Sequence, residues 1–213
     1  MTATPSQSAE PQSDRQTTHQ DQFGLERLVF FSDAVFAIAI TLLALEIRLP
    51  ATEGVMSEAE LLRSLVALWQ EYLSYVVSFL VIGAFWLGHH RKFRLIERYD
   101  RRLLWINLLL LMTVAFIPFP TSVISEYGNT TGTIFYAASM TVSGLMLAAL
   151  WWYASHHNRL VDPHLDRRQR RLETWRTLVV PGIFLLSIGI ALINDDLAKF
   201  SWILIAPVSL LLR

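Results

Sequence analysis

Six times along this chain a polar or turn-forming stretch gives way to an apolar run, at about residues 25–49, 61–88, 103–124, 133–155, 177–193 and 197–212. A helix needs about 20 mainly apolar residues to cross ~30 Å of hydrocarbon, so the first four runs are long enough and the fifth is marginal. The sixth reaches across only with local thinning of the bilayer. Side chains are 53% hydrophobic and only 17% charged, whereas a soluble domain carries about 25% charged residues. The pattern predicts an all-α integral membrane protein with six transmembrane helices, forming one domain over residues 23–213. Residues 1–22, rich in Ser, Thr, Gln and Pro, have too little to bury to offset their ordering entropy and are expected to be a disordered tail. That tail also lacks the continuous apolar stretch of a signal peptide.

Charge narrows the function. Eighteen basic and eighteen acidic residues cancel, which argues against a nucleic-acid partner, since phosphate binding calls for a basic excess. The absence of cysteine removes disulfides, thiolate metal sites and thiol nucleophiles together. The basic residues are concentrated: Arg91, Lys92, Arg94, Arg98, Arg101 and Arg102 fall within His89–Arg102, and Arg159, Arg167, Arg168, Arg170, Arg171 and Arg176 within His156–Arg176. By the positive-inside rule both stretches are cytoplasmic loops, and so are both termini, as an even number of spans requires. An integral membrane location with the basic loops on the cytoplasmic face is expected, and the loops set topology rather than bind a particular anion.

The first span departs from a lipid-facing helix because it holds Arg27, Ser32, Asp33 and Thr41, with Glu46 near its far end. Ionisable groups inside a span are costly and are kept for a partner or a pathway. At 100° per residue Ile38, Leu42 and Leu45 fall within about 60° of one another, whereas Asp33 lies about 140° from Ile38. One face therefore carries an aliphatic stripe and another a polar group. Pro118 and Pro120 are expected to kink or end the third span, and Gly83, Gly88, Gly144 and Gly189 to admit close helix contacts. The pairs His89–His90 and His156–His157 point about 100° apart on a helix, poor geometry for one metal or haem.

The segment Arg27-Leu-Val-Phe-Phe31-Ser32-Asp33, followed by AVFAIAITLLALEI, resembles the RxxxFSD signature that opens the first helix of the transmembrane protein 175 family. The likeness extends through FWLGHHRKF (Phe85 to Phe93), ERYDRRLLWINLL (Glu97 to Leu109) and FIPFPTSVISEYG (Phe116 to Gly128). It covers the chain from about residue 25 onward, most strongly over the first three spans. What the resemblance implies is a potassium-preferring cation channel, not an enzyme, with first helices lining a central pore and neither organic cofactor nor structural metal. Animal members resemble two such units in tandem, so a single unit implies a homotetramer in the bilayer.

Carried over residue by residue, the family's hydrophobic constriction falls on Ile38, Leu42 and Leu45, with potassium ions expected near Ile38 and Thr41. The Thr41 hydroxyl either faces the ion or bonds back to the carbonyl of Ala37. The resemblance further implies a structural network of Arg27, Phe31, Ser32 and Asp33 with Trp86, His89, His90, Trp105 and Asn107. No TVGYG filter loop and no arginine-every-third voltage sensor occurs. The competing reading is a secondary transporter with Asp33 or Glu46 as coupling acid.

Overall fold

The computed structural model describes residues 12–50 and 54–202, with side chains from Phe23 onward. Eight α-helices follow in order: α1 Gln12–Leu42, α2 Glu58–Ala67, α3 Trp69–Phe93, α4 Arg101–Phe116, α5 Pro118–Tyr127, α6 Thr130–Ser155, α7 Arg167–Ala191 and α8 Asp195–Ser201. Starts are marked by short polar side chains accepting from otherwise orphaned backbone amides. Asp100, Asn129, Asp166 and Asn194 cap α4, α6, α7 and α8. Ser57 and Glu60 form a reciprocal capping box at α2.

Five stretches among the described residues are long and apolar enough to cross a membrane: Phe23–Glu46, Trp69–Phe93, Arg101–Tyr127, Thr130–Asn158 and Arg167–Ala191. The expected sixth span lies mainly in residues 203–213, outside the described residues. Its beginning is the short helix α8, clamped by Lys199 Nζ donating to the Gly128 carbonyl at 2.7 Å and pairing with Asp195 and Asp196.

Several expected boundaries are corrected. The apolar run from 61 is not one helix. Leu68, at ψ 17°, breaks the run into α2, which buries none of its side chains, and α3. Glu71 thus sits in the first turn of α3, where a carboxylate complements the helix dipole. At its other end α3 continues past residue 88 to Phe93, turning His89 to Lys92 from loop into helix. Helix α7, which carries the expected fifth span, starts ten residues before it, at Arg167, because arginine is a good helix former and Glu173 faces inward to meet Arg176 at 2.7 Å and Arg91 at 3.6 Å. Part of the expected tail is also helical: α1 is continuous from Gln12. Extending an established helix costs little compared with nucleating one. Residues 1–11 of that tail lie outside the described residues.

Helix α6 is the centre of the bundle, packed against α3, α4, α5, α7 and α8. Tyr136, Met140, Leu147, Leu150 and Trp151 are buried along it, meeting Phe85 of α3, Leu103 and Leu110 of α4 and Phe184 of α7 in one core. The closest approach is to α7, where a Cβ added at Gly144 would lie 2.8 Å from the Pro181 ring. Only glycine leaves room for that proline. Pro118 stands at the first position of α5, so the third span is two helices meeting at Ile117, as expected from a residue lacking an amide hydrogen. Helix α1 packs on α3, α4 and α5 and closes one side of the bundle.

Candidate functional site

Helix α1 divides into two faces of different chemistry. Phe36, Ala39 and Leu43 are buried against the bundle, and Ser32, on that same side, is fully buried. Its hydroxyl donates to the Leu28 carbonyl at 2.8 Å and accepts from Asn107 Nδ2 of α4 at 2.9 Å. Because that contact commits the Asn107 amide nitrogen to Ser32, its oxygen faces His89 Nε2 at 2.9 Å. Nε2 must therefore carry the proton, which leaves Nδ1 a buried acceptor with no hydrogen-bond partner among the described residues. The imidazole is held between Phe36, centroids 5.5 Å apart, and Phe93, 4.3 Å apart.

One residue further round α1, Asp33 Oδ1 accepts from Trp86 Nε1 of α3 at 2.8 Å. Trp86 in turn stacks on His90, centroids 5.7 Å apart. Ser32, Asp33, Trp86, His89 and Asn107 thus meet, with His90 joined through the stacked ring. Two adjacent residues tie α1 to two different helices. No hydrogen bond joins Arg27, Phe31 or Trp105 to this group. All three are exposed, and Phe31 and Trp105 present more than half of their surface.

The opposite face is uncovered. Phe30 is 70% exposed, Ile38 58% and Leu45 65%, with Phe31 and Leu42 on the same side. These positions recur at helical spacing, so the exposure forms a continuous stripe. Past Leu42 the backbone tightens to a 3-10 turn over Leu43–Glu46, in which residues three apart eclipse. Leu45 therefore stands over Leu42, and Ile38 to Leu45 spans roughly 12 Å of axis. The Thr41 hydroxyl donates to the Ile38 carbonyl at 2.8 Å, not to Ala37, and the side chain remains exposed.

Other polar features had little signal in the sequence. Ser78 of α3, Thr121 of α5 and Tyr136 of α6 form a buried hydroxyl cluster at 2.9 and 3.0 Å, drawn from three apolar stretches that gave no sign of meeting. Lys92, counted above among the loop charges, is fully buried. Its ammonium donates to the Gly88 carbonyl at 3.3 Å and lies 5.9 Å from the Trp151 ring. A basic residue four positions after a glycine in a helix's last turn was its only signal. Among the described residues no three His, Asp or Glu side chains converge as metal ligands.

Helix α1 is thus an apolar helix anchored through polar groups on one side and bare on the other. Residues 27–118 match the family model described as "Endosomal/lysosomal potassium channel TMEM175". A protein named as a potassium channel from Streptomyces collinus is 39% identical over 80% of this chain and 84% of its own length. Another from Chamaesiphon minutus is 36% identical over 79% and 84%. Among solved structures, a lysosomal potassium-selective channel TMEM175 homolog from Chamaesiphon minutus superposes with a TM-score of 0.77 at 32% identity, over 88% of this chain and 97% of that one. These relatives are channels and not enzymes, and this chain, an all-helical membrane protein, belongs to the TMEM175 family.

Proposed function

We propose that the chain is a potassium channel that assembles as a homotetramer, with four copies of α1 facing a common axis and K+ moving passively between them. The observation that carries this reading is the bare stripe of α1. Ile38, Leu42 and Leu45 are exposed while the opposite side of the same helix is fastened by Ser32 and Asp33. Lipid covers apolar surface on any span, but an aliphatic stripe beside an exposed Thr41, on a helix fixed from behind by polar groups, also fits a lumen shared with further copies. The names of the relatives supply the ion. Three stacked aliphatic rings over roughly 12 Å stop ions by dewetting until they widen.

Thr41 fits between the two roles considered for it. Its proton is taken by the Ile38 carbonyl, so the hydroxyl oxygen is free to accept and can turn a lone pair toward a cation. Potassium is cargo here, and no resident cofactor is required. The positive-inside rule assigns the basic segments to the cytoplasm of a bacterial inner membrane, and an even number of spans would put both termini there too.

The test is a planar-bilayer recording of purified protein under a potassium gradient, comparing wild type with Ile38→Asn. A polar ring wets the constriction, so conductance is expected to rise and discrimination between potassium and sodium to fall. Unchanged current and reversal potential would remove Ile38 from the pathway. Thr41→Val in the same recording is expected to weaken potassium preference in an intact tetramer. Saturable uptake that needs an opposing proton gradient and disappears in Asp33→Asn or Glu46→Gln would establish the transporter instead.

A further inference from the structure

We propose that Tyr99, seated on the backbone of α1 at Gly24, is a positioning residue that sets the tilt of the pore helix and links it to the segments at the basic end of the bundle. This rests on the pore reading above. The contact is close: a Cβ built on Gly24 would lie 2.2 Å from Tyr99 Oη, 2.5 Å from Cζ and 2.6 Å from Cε1. The ring edge therefore touches the helix backbone, and any side chain at residue 24 must push α1 or the tyrosine away.

The base of this strut is held from several directions. Ile96 pairs with Val161 as an isolated β-bridge, and the amides of Glu97 and Arg98 both donate to the Leu160 carbonyl, at 2.9 and 3.2 Å. Immediately after Tyr99, Asp100 accepts from the Leu103 amide at 2.8 Å and from the Tyr153 hydroxyl of α6. Arg159 braces that tyrosine, with its Nη1 donating to Tyr153 Oη at 3.1 Å and its guanidinium 4.8 Å from the ring centre. The segment carrying Tyr99 is thereby fastened to α4, to α6 and to the connection between α6 and α7, while its ring packs against the core.

Two fixed points define the line of a rod. One is the Ser32–Asp33 anchor, and Gly24 is the other, about 13 Å away along the helix at ~1.5 Å per residue. Ile38 lies about 8 Å beyond the anchor on the opposite side. Were α1 to pivot as a rigid rod at the anchor, a displacement at Gly24 would reappear at Ile38, reversed and at most about two thirds as large, against the packing of Phe36, Ala39 and Leu43. In a fourfold ring each change in radius counts twice across the diameter, so a shift near 1 Å at Gly24 would change the constriction by at most a little over 1 Å. A movement of the segments bearing Tyr153, Arg159 and Leu160 thereby reaches the aliphatic rings through Tyr99, beside the Asn107–Ser32 link.

A double-mutant cycle read by single-channel recording tests this. Gly24→Ala is expected to change unitary conductance at least threefold in wild-type background, and by less than about 1.5-fold when Tyr99→Ala has removed the ring it would strike. Equal effects in both backgrounds, or no effect in either, would overturn the proposal. Size-exclusion chromatography checks that each variant remains assembled. If Gly24→Ala does not assemble, Tyr99→Ala alone decides, since a strut requires it to alter unitary conductance in an intact oligomer and unchanged conductance excludes one. Ile38→Asn runs alongside as a control. If it alters the currents while the cycle shows no coupling, the strut fails and the pore stands; if Ile38→Asn is silent, the pore reading itself has failed.

Discussion

Helices α1 and α6 are both long and apolar, yet the bundle treats them in opposite ways. In its most apolar eighteen-residue stretch α6 is 50% buried, whereas α1 is 22% buried, the lowest of the five candidate spans. On α6 every hydroxyl from Thr133 to Ser143 is satisfied inside the chain: Thr133, Ser139, Thr141 and Ser143 donate to carbonyls one turn back, and Tyr136 meets Ser78. On α1 the polar groups bonded to other helices, Ser32 and Asp33, lie on the side away from the bare stripe, whereas Arg27 and Thr41 are exposed on or beside it. Hydrophobicity alone therefore does not say what a span packs against. What distinguishes α1 is that the least buried of the spans is also fastened from behind by Ser32 and Asp33.

The comparison breaks most visibly at the centre of α6. Trp151→Ala empties a fully buried site against Lys92 and Thr174 and is expected to cost about 3–5 kcal/mol, read as thermal unfolding in detergent. An unfolding temperature close to wild type would mean that α6 is not the organising helix. Next comes the anchor. Asn107→Ala strips the partner from Ser32 and from His89, for an expected loss of about 1–3 kcal/mol, and Asp33→Ala, by orphaning the Trp86 indole, should lower oligomer yield more than it alters selectivity. A normal oligomer with changed selectivity would place Asp33 on the pathway. On the bare face Ile38→Ala should change unfolding of the separated protomer by less than about 0.5 kcal/mol, while altering ion flux in the assembled protein; a large stability loss in the protomer would show that the stripe packs internally.

The smallest effect concerns Asp100. Partial burial would raise its carboxyl, but hydrogen bonds from Tyr153 and from the Leu103 and Arg102 amides, together with the charge on Arg159, hold it below the ordinary 3.8. A carboxyl depressed on folding contributes stability above its unfolded pKa and loses it as pH falls through the folded value. Acidification below about pH 4 is therefore expected to loosen this end of the bundle slightly, by well under about 1 kcal/mol after solvent screening. The slope should vanish in Asp100→Asn, and a persistent slope would assign it to another group.

The sequence was most legible where chemistry is local. Apolar length marked the spans, Pro118 divided the third, and the short run from Arg27 to Asp33 pointed to the family. It was least legible where a residue's role depends on what arrives from far along the chain. Arg167 to Arg176 looked like a loop because charge was counted without asking whether one carboxylate, Glu173, would be turned inward among the arginines. Leu61 to Leu68 looked continuous with α3 because a break made by one ψ angle leaves no trace in hydrophobicity. Gly24 and Tyr99 are 75 residues apart, and only the fold brings them into contact.

Lys92 has a consequence for how the protein is made. Its ammonium ends wholly enclosed, against Trp151 of α6 and within the influence of the Glu173 carboxylate of α7. When α3 leaves the ribosome neither residue exists. At a synthesis rate of about 5–20 residues per second, the 81 residues separating Lys92 from Glu173 take roughly 4–16 seconds, during which the charge must stay in contact with water. The end of α3 is therefore expected to stay at the membrane surface until the fifth span is made, with its enclosure among the later steps of assembly.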